Sequence, residues 1–240
     1  MAGHHRPMYY LTGDLRTGAC MAEMADAHLA LPNVRWYTEK APQIRCRTAP
    51  DWSSLLSDWM TAFERTGNEA YRELAIRGIQ GILAAPMGFG SGPIFDFEPA
   101  TGNMRYIGEN TGNIHLTQCF ATLEILLEAA DAMQLPELWT MCADYGEMYL
   151  MTEDEREKAF GELVRGKGYS MRYTASGMGA YAGFVRKNPE LMKRAWHELL
   201  IASPRRYSLK GFETKTFATR EDGSELREIP WMSTNYISQW

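Results

Sequence analysis

The side chains best suited to anion recognition and proton transfer fall in short bursts along the chain. His4-His5-Arg6 comes first, Arg45 and Arg47 flank Cys46, Arg105-Tyr106 follows, and His115 stands just after Gly112-Asn113. Arginine presents a planar fork that matches a carboxylate, whereas histidine and tyrosine move protons once their surroundings tune their pKa. Together they suit an anionic substrate that undergoes proton transfer. Alternation around Cys46 sends the Arg45 and Arg47 guanidiniums the same way if that segment is extended. Trp52 and Trp59 lie two helical turns apart on one face; Trp59 is expected in the core, and Trp52, at a helix start, is the better platform for a sugar ring. His4, His5, Tyr10 and His115 are the catalytic candidates, with Arg6, Arg45, Arg47, Trp52, Arg105 and Tyr106 as substrate-binding candidates.

Each has a plainer alternative. The His4 to Arg6 run could be a solvated segment, Arg45 and Arg47 a surface salt-bridge pair, His115 a buried structural histidine, and Tyr10 a core residue beside a turn. His28 and His197 fall inside helices and are read as structural. A different chemistry would use paired carboxylates, one donating a proton and one activating water, with Asp51, Asp96 and Glu109 as candidates; Asp51 also has a sufficient duty as a helix cap.

The elements that must position these groups are helical hairpins. Tyr9-Tyr10-Leu11-Thr12-Gly13-Asp14 joins two helical runs, Ala62-Phe63-Glu64-Arg65-Thr66-Gly67-Asn68 does the same, and Thr12 and Thr66 lie 54 positions apart. Asp131 to Pro136 and Arg186 to Pro189 supply two further turns, predicting four antiparallel hairpins turning near Gly13, Gly67, Gln134 and Asn188. Glycine releases the backbone at a helix end, Asp14 and Asn68 cap the next helix, and Pro136 and Pro189 suit a first turn. A short helix is expected near Glu153 to Val164. The longer connections, 32–50, 86–112 and 204–233, should gather at the end opposite the tight turns and bring the candidates onto one concave face. Alternation from Phe212 to Ile229 around Asp222-Gly223 predicts the only sizeable β-hairpin. The fold expected is thus all-α, a partial (α/α) toroid with one small β-hairpin near the C-terminus.

Composition narrows the partners. A formal net charge of −5 lacks the basic footprint of a nucleic-acid binder, so no nucleic-acid partner is expected. No apolar run approaches the roughly 18 residues of a membrane span, and the first residues lack a signal-peptide layout, so a soluble chain without a membrane partner is expected. Cys20, Cys46, Cys119 and Cys142 form no CxxC pair; no metal site is expected, and they are read as reduced core residues. The first helix is short and Tyr236 to Trp240 gives one turn of another, so residues 1–240 are read as one partial toroid cut from a larger protein.

His4-His5-Arg6-Pro7-Met8-Tyr9-Tyr10-Leu11-Thr12-Gly13-Asp14, Pro50-Asp51-Trp52-Ser53-Ser54-Leu55, Gly88-Phe89-Gly90-Ser91-Gly92-Pro93 and Ser233-Thr234-Asn235 with Gln239-Trp240 together resemble the C-terminal α/α toroid of PcRGLX/YetA-like proteins. The resemblance implies a multidomain parent, possible secretion of that parent, and β-rich domains outside this chain as partners. It also implies kinship with exo-acting rhamnogalacturonan lyases of polysaccharide lyase family 26, hence an acidic polysaccharide as substrate. Such a lyase must neutralise a uronate carboxylate, remove the C5 proton and protonate the O4 leaving group. Asn235 joins the substrate-binding candidates on this basis. No cofactor is expected, with calcium left open. The alternatives are a toroid glycoside hydrolase and a noncatalytic carbohydrate-binding scaffold.

Overall fold

The structure is a computed structural model that describes residues 1–39, 42–92, 94–108, 122–164, 172–198 and 216–227. His115, Asn235, Glu109 and Cys119 lie outside the described residues.

The turn chemistry produces the expected hairpins. Helices α1 (Arg6–Thr12) and α2 (Leu15–Met24) meet at Gly13, which is left-handed at φ 67°, and Asp14 caps α2 by accepting the Thr17 N–H at 3.1 Å. A short α3 (Arg35–Thr38) and strand β1 (Ile44–Arg47) follow. Next, α4 (Ser53–Thr66) and α5 (Glu69–Leu83) turn at Gly67, again at φ 67°, with Asn68 as the cap. Strands β2 (Ile94–Glu98) and β3 (Asn103–Tyr106) precede α6 (Thr122–Ala132) and α7 (Pro136–Leu150). Helix α8 (Glu153–Phe160) opens on a reciprocal Thr152/Glu155 capping box. The last pair, α9 (Arg172–Val185) and α10 (Pro189–His197), is capped by Asn188, and β4 (Thr216–Thr219) with β5 (Glu225–Arg227) forms the small hairpin around Asp222-Gly223. Left-handed Gln134 and Lys187 turn the third and fourth pairs, so all four turns fall where expected.

That C-terminal hairpin is not the main sheet, because β1, β2 and β3 build a three-stranded antiparallel sheet inside segments read as plain connections. Its residues alternate: Cys46, Phe95, Phe97 and Met104 are buried on one side, while Arg45, Arg47, Asp96 and Arg105 lie at the other. The apolar side packs onto the helices, with the Phe97 ring stacked 6.4 Å from Trp59 of α4. Helix α5 comes closest, since a Cβ at Gly81 would meet the Met104 carbonyl oxygen at 1.8 Å. Only glycine lets the backbones of α5 and β3 touch, and this contact fixes the sheet on the bundle.

The main core joins Trp52, Leu56, Trp59, Ile79, Phe89, Phe95, Leu126 and Leu138. Trp52 is 0% exposed and therefore cannot be the sugar platform expected of it. The kinked Thr48–Trp52 segment carries its indole inward over Gly78, where a Cβ would lie 2.5 Å from Nε1. Cys20 departs from the expected core role, being exposed, whereas Cys46 and Cys142 are buried. His28 is structural as expected: it is buried and its Nδ1 accepts the Trp59 indole N–H at 3.2 Å. No helix among the described residues is long and apolar enough to cross a membrane.

Candidate functional site

The charged side of the sheet draws three of the candidate arginines onto one surface. Cross-strand register sets Asp96 of β2 between Arg45 of β1 and Arg105 of β3. Its carboxylate bridges both: Arg45 Nε approaches Oδ1 at 3.1 Å, and Arg105 Nη2 donates to Oδ2 at 2.5 Å. The Arg45 approach is an ion pair without hydrogen-bond alignment. Asp96 is 13% exposed, but Arg105 is 75% exposed. One guanidinium thus reaches solvent from a carboxylate that steadies its near end.

A cavity of about 710 Å³ opens where the sheet meets α5, with Gln43, Asp96, Glu98, Asn103 and Arg105 from the sheet side and Arg77 from the helix. Glu98 is held by Thr101 and Asn103, whose hydrogen bonds lower its pKa from the ordinary carboxylate value. The lining is polar at the charged side and apolar toward Ile44 and Phe97, a mix that fits a sugar.

Two residues along β1, Arg47 is locked. Its Nε and Nη2 donate to the two Asp51 oxygens at 2.7 Å each, and its backbone N–H adds a third bond at 3.2 Å. Tyr37 also bonds Asp51; burial, then the Asp51 charge, pushes its phenol up to about 12, which makes it a poor base. The Arg47 guanidinium lies 5.5 Å from the centre of the exposed Trp36 ring. The sequence signal for Trp36 is that of an aromatic inside an Arg-rich connection.

The remaining candidates gather elsewhere. The Ala2–His5 turn rests on α4, where Ala2 N–H donates to Asp58 at 2.5 Å and Gly3 N–H to Ser57 at 3.1 Å. Burial raises the Asp58 pKa, with the Ala2 hydrogen bond opposing it. His4 and His5 are exposed on this turn. Arg6 bridges Glu64 at 3.0 Å and Glu128 at 2.5 Å, linking α1, α4 and α6, and Tyr10 donates to Glu64 at 3.1 Å. Burial, then that bond, raises the Tyr10 pKa, so its phenolate is disfavoured.

Among the described residues the expected convergence on one concave end therefore does not occur. Asp51, which holds Arg47, and Glu64, which holds Arg6 and Tyr10, sit at opposite ends of α4, about 20 Å apart at the helical rise. The first helix is too short to carry Arg6 to the far end. Tyr106 packs its ring 5.9 Å from Phe95, on the core side of the sheet. For paired carboxylates, Asp51 and Asp96 each have both oxygens engaged by guanidiniums, and Glu109 lies outside the described residues. Among the described residues no group of three or more His, Cys, Asp or Glu could hold a metal ion.

Over residues 1–240 the chain matches the family described as the PcRGLX-like protein C-terminal alpha/alpha toroid domain. It is also 32% identical over 249 residues to "Uncharacterized protein YetA" of Bacillus subtilis (strain 168), with all of this chain and 28% of that protein covered. The chain thus spans less than a third of the length of that curated relative. Helical hairpins, their capped turns and the full-length match agree, and the chain belongs to the PcRGLX-like C-terminal alpha/alpha toroid domain family.

Proposed function

We propose that this domain holds a uronate-containing, rhamnogalacturonan-type polysaccharide on the arginine side of its sheet, as part of a lyase that cuts the polymer by β-elimination. The observation that carries this is the Arg45–Asp96–Arg105 ladder, with Arg105 largely exposed and lining the cavity. A guanidinium anchored by a carboxylate keeps a fixed direction and can offer its outer N–H groups to a second carboxylate on the substrate.

In the reaction, a base takes the C5 proton, the electron pair forms a C4–C5 double bond, and the C4–O4 bond breaks with protonation of O4. Charge that builds on the uronate carboxylate is stabilised by a nearby cation. His4 and His5 are the proposed proton-transfer groups, held in their turn by Asp58 and Ser57. The arginine side of the sheet faces away from α4, whereas their turn lies on α4, so one sugar would not span both. Arg45 and Arg105 accordingly bind the polymer, and the uronate undergoing elimination lies with other groups, including those of β-rich domains proposed as partners within a longer parent. Engagement of Asp51 and Asp96 by arginines favours this reading over hydrolysis by paired carboxylates.

The test is Arg105→Ala in the full-length protein, with binding of an acidic oligosaccharide measured by calorimetry and unsaturated uronate product followed by ultraviolet absorbance. Affinity should fall by roughly tenfold or more, the scale of one charged hydrogen-bonded contact. Unchanged affinity and turnover would reject the arginine site, and absence of unsaturated product from the unmodified protein would reject β-elimination.

A further inference from the structure

We infer that Trp36 is a stacking seat for a neutral sugar ring next to the arginine ladder, an inference that rests on reading that ladder as a seat for the polymer. Trp36 is 55% exposed on the four-residue helix α3, which packs against β1. A large exposed indole on a short helix would ordinarily sample several positions. This one is braced, because the Arg47 guanidinium covers one face at 5.5 Å. Arg47 is itself immobilised by two 2.7 Å bonds to Asp51, and Tyr37 closes on the same carboxylate.

The bracing leaves Trp36 a rigid apolar plane with one side taken and over half its surface in solvent. Such a plane binds the C–H face of a pyranose at little ordering cost. An indole face offers a carboxylate no hydrogen bond, so this seat favours a neutral or deoxy sugar over a uronate. Continuity chooses the occupant: Arg45 and Arg47 lie two residues apart on β1, about 7 Å at the strand rise, on the same side of the sheet. A polymer alternating charged and neutral units could place one on the Asp96 ladder and the next on Trp36. With Arg47 consumed by Asp51 and Trp36, the two seats differ in chemistry despite sharing a strand.

The experiment compares unmodified full-length protein with its Trp36→Ala and Trp36→Phe variants, using a monomeric uronic acid, an acidic oligosaccharide with neutral units, and a neutral oligosaccharide. Trp36→Ala should weaken the mixed oligosaccharide about tenfold, equivalent to about 1.4 kcal/mol, and leave the monomer unchanged. Trp36→Phe should restore most of the loss, and melting temperatures should match, since the ring is exposed. Equal affinity of Trp36→Ala for the mixed oligosaccharide overturns the inference, as does an equal loss for the monomer, which would make Trp36 a prop for the ladder. Failure of a collisional quencher to reach Trp36 in the full-length protein also overturns it, because a protein surface would then cover the ring. If uronic acid fails to bind but the neutral oligosaccharide binds and depends on Trp36, the Trp36 seat stands and the acidic reading falls.

Discussion

Substituting Gly81 by alanine tests the contact that positions the sheet. Taken alone, the change should favour α5, because alanine exceeds glycine in helix propensity by roughly 1 kcal/mol. The surroundings reverse the sign. The new Cβ would lie 1.8 Å from the Met104 carbonyl oxygen and 2.8 Å from its carbon, and both are backbone atoms of β3. Relief needs more than an ångström of separation between a helix and a strand, and overpacking of that kind typically costs about 1–3 kcal/mol, against which the propensity gain of roughly 1 kcal/mol is set. A net loss of up to about 2 kcal/mol would lower the melting temperature by up to roughly 4–8 °C for a domain of this size. Gly177→Ala on α9 is the matched control, since nothing lies within 4 Å of its would-be Cβ. It should hold or raise stability by up to about 1 kcal/mol. Thermal and urea unfolding of both variants decides the matter: a Gly81→Ala protein as stable as the Gly177→Ala one would refute direct packing of α5 on β3.

Burial lowers the His28 pKa, and its Nδ1 accepts the Trp59 N–H, so the folded state holds the neutral ring. Stability from this group is present above the unfolded value near 6.5 and is lost as pH falls from there toward the lower folded value, so urea midpoints should drop as the pH is taken below about 6.5. His28→Gln should flatten that dependence, and an unchanged slope would remove His28 as its source. Trp52→Phe should cost stability in urea unfolding yet leave oligosaccharide affinity of the folded protein unaltered, because the indole is enclosed; a selective loss of affinity would reinstate it as a binding residue.

The helical frame was legible because its signals are local. Gly13, Gly67, Asp14, Asn68, Pro136 and Pro189 each specify a turn within a few residues, and the structure uses every one of them there. The sheet was not legible because its pairing is remote: Arg45 meets Asp96 across a hairpin of helices, in strands of four or five residues too short to stand out from a connection. Alternation in Ile94-Phe95-Asp96-Phe97-Glu98 was visible, but no local rule names its partner. The common direction of Arg45 and Arg47 was readable from strand periodicity, whereas their carboxylate partners were not. Trp52 misled because a helix start is usually open, and only the approach of Gly78 from α5 reveals the pocket that encloses it. The scattering of Arg6 and Tyr10 away from the sheet follows from the shortness of α1, which ends their reach at Glu64.

The most direct measurement is a crystal structure of the full-length protein with an acidic oligosaccharide bound. A uronate carboxylate is expected within hydrogen-bond distance of the Arg105 guanidinium, with a neutral ring over Trp36. An oligosaccharide seated wholly on the His4–His5 turn, or elsewhere with Arg105 free in solvent, would contradict it.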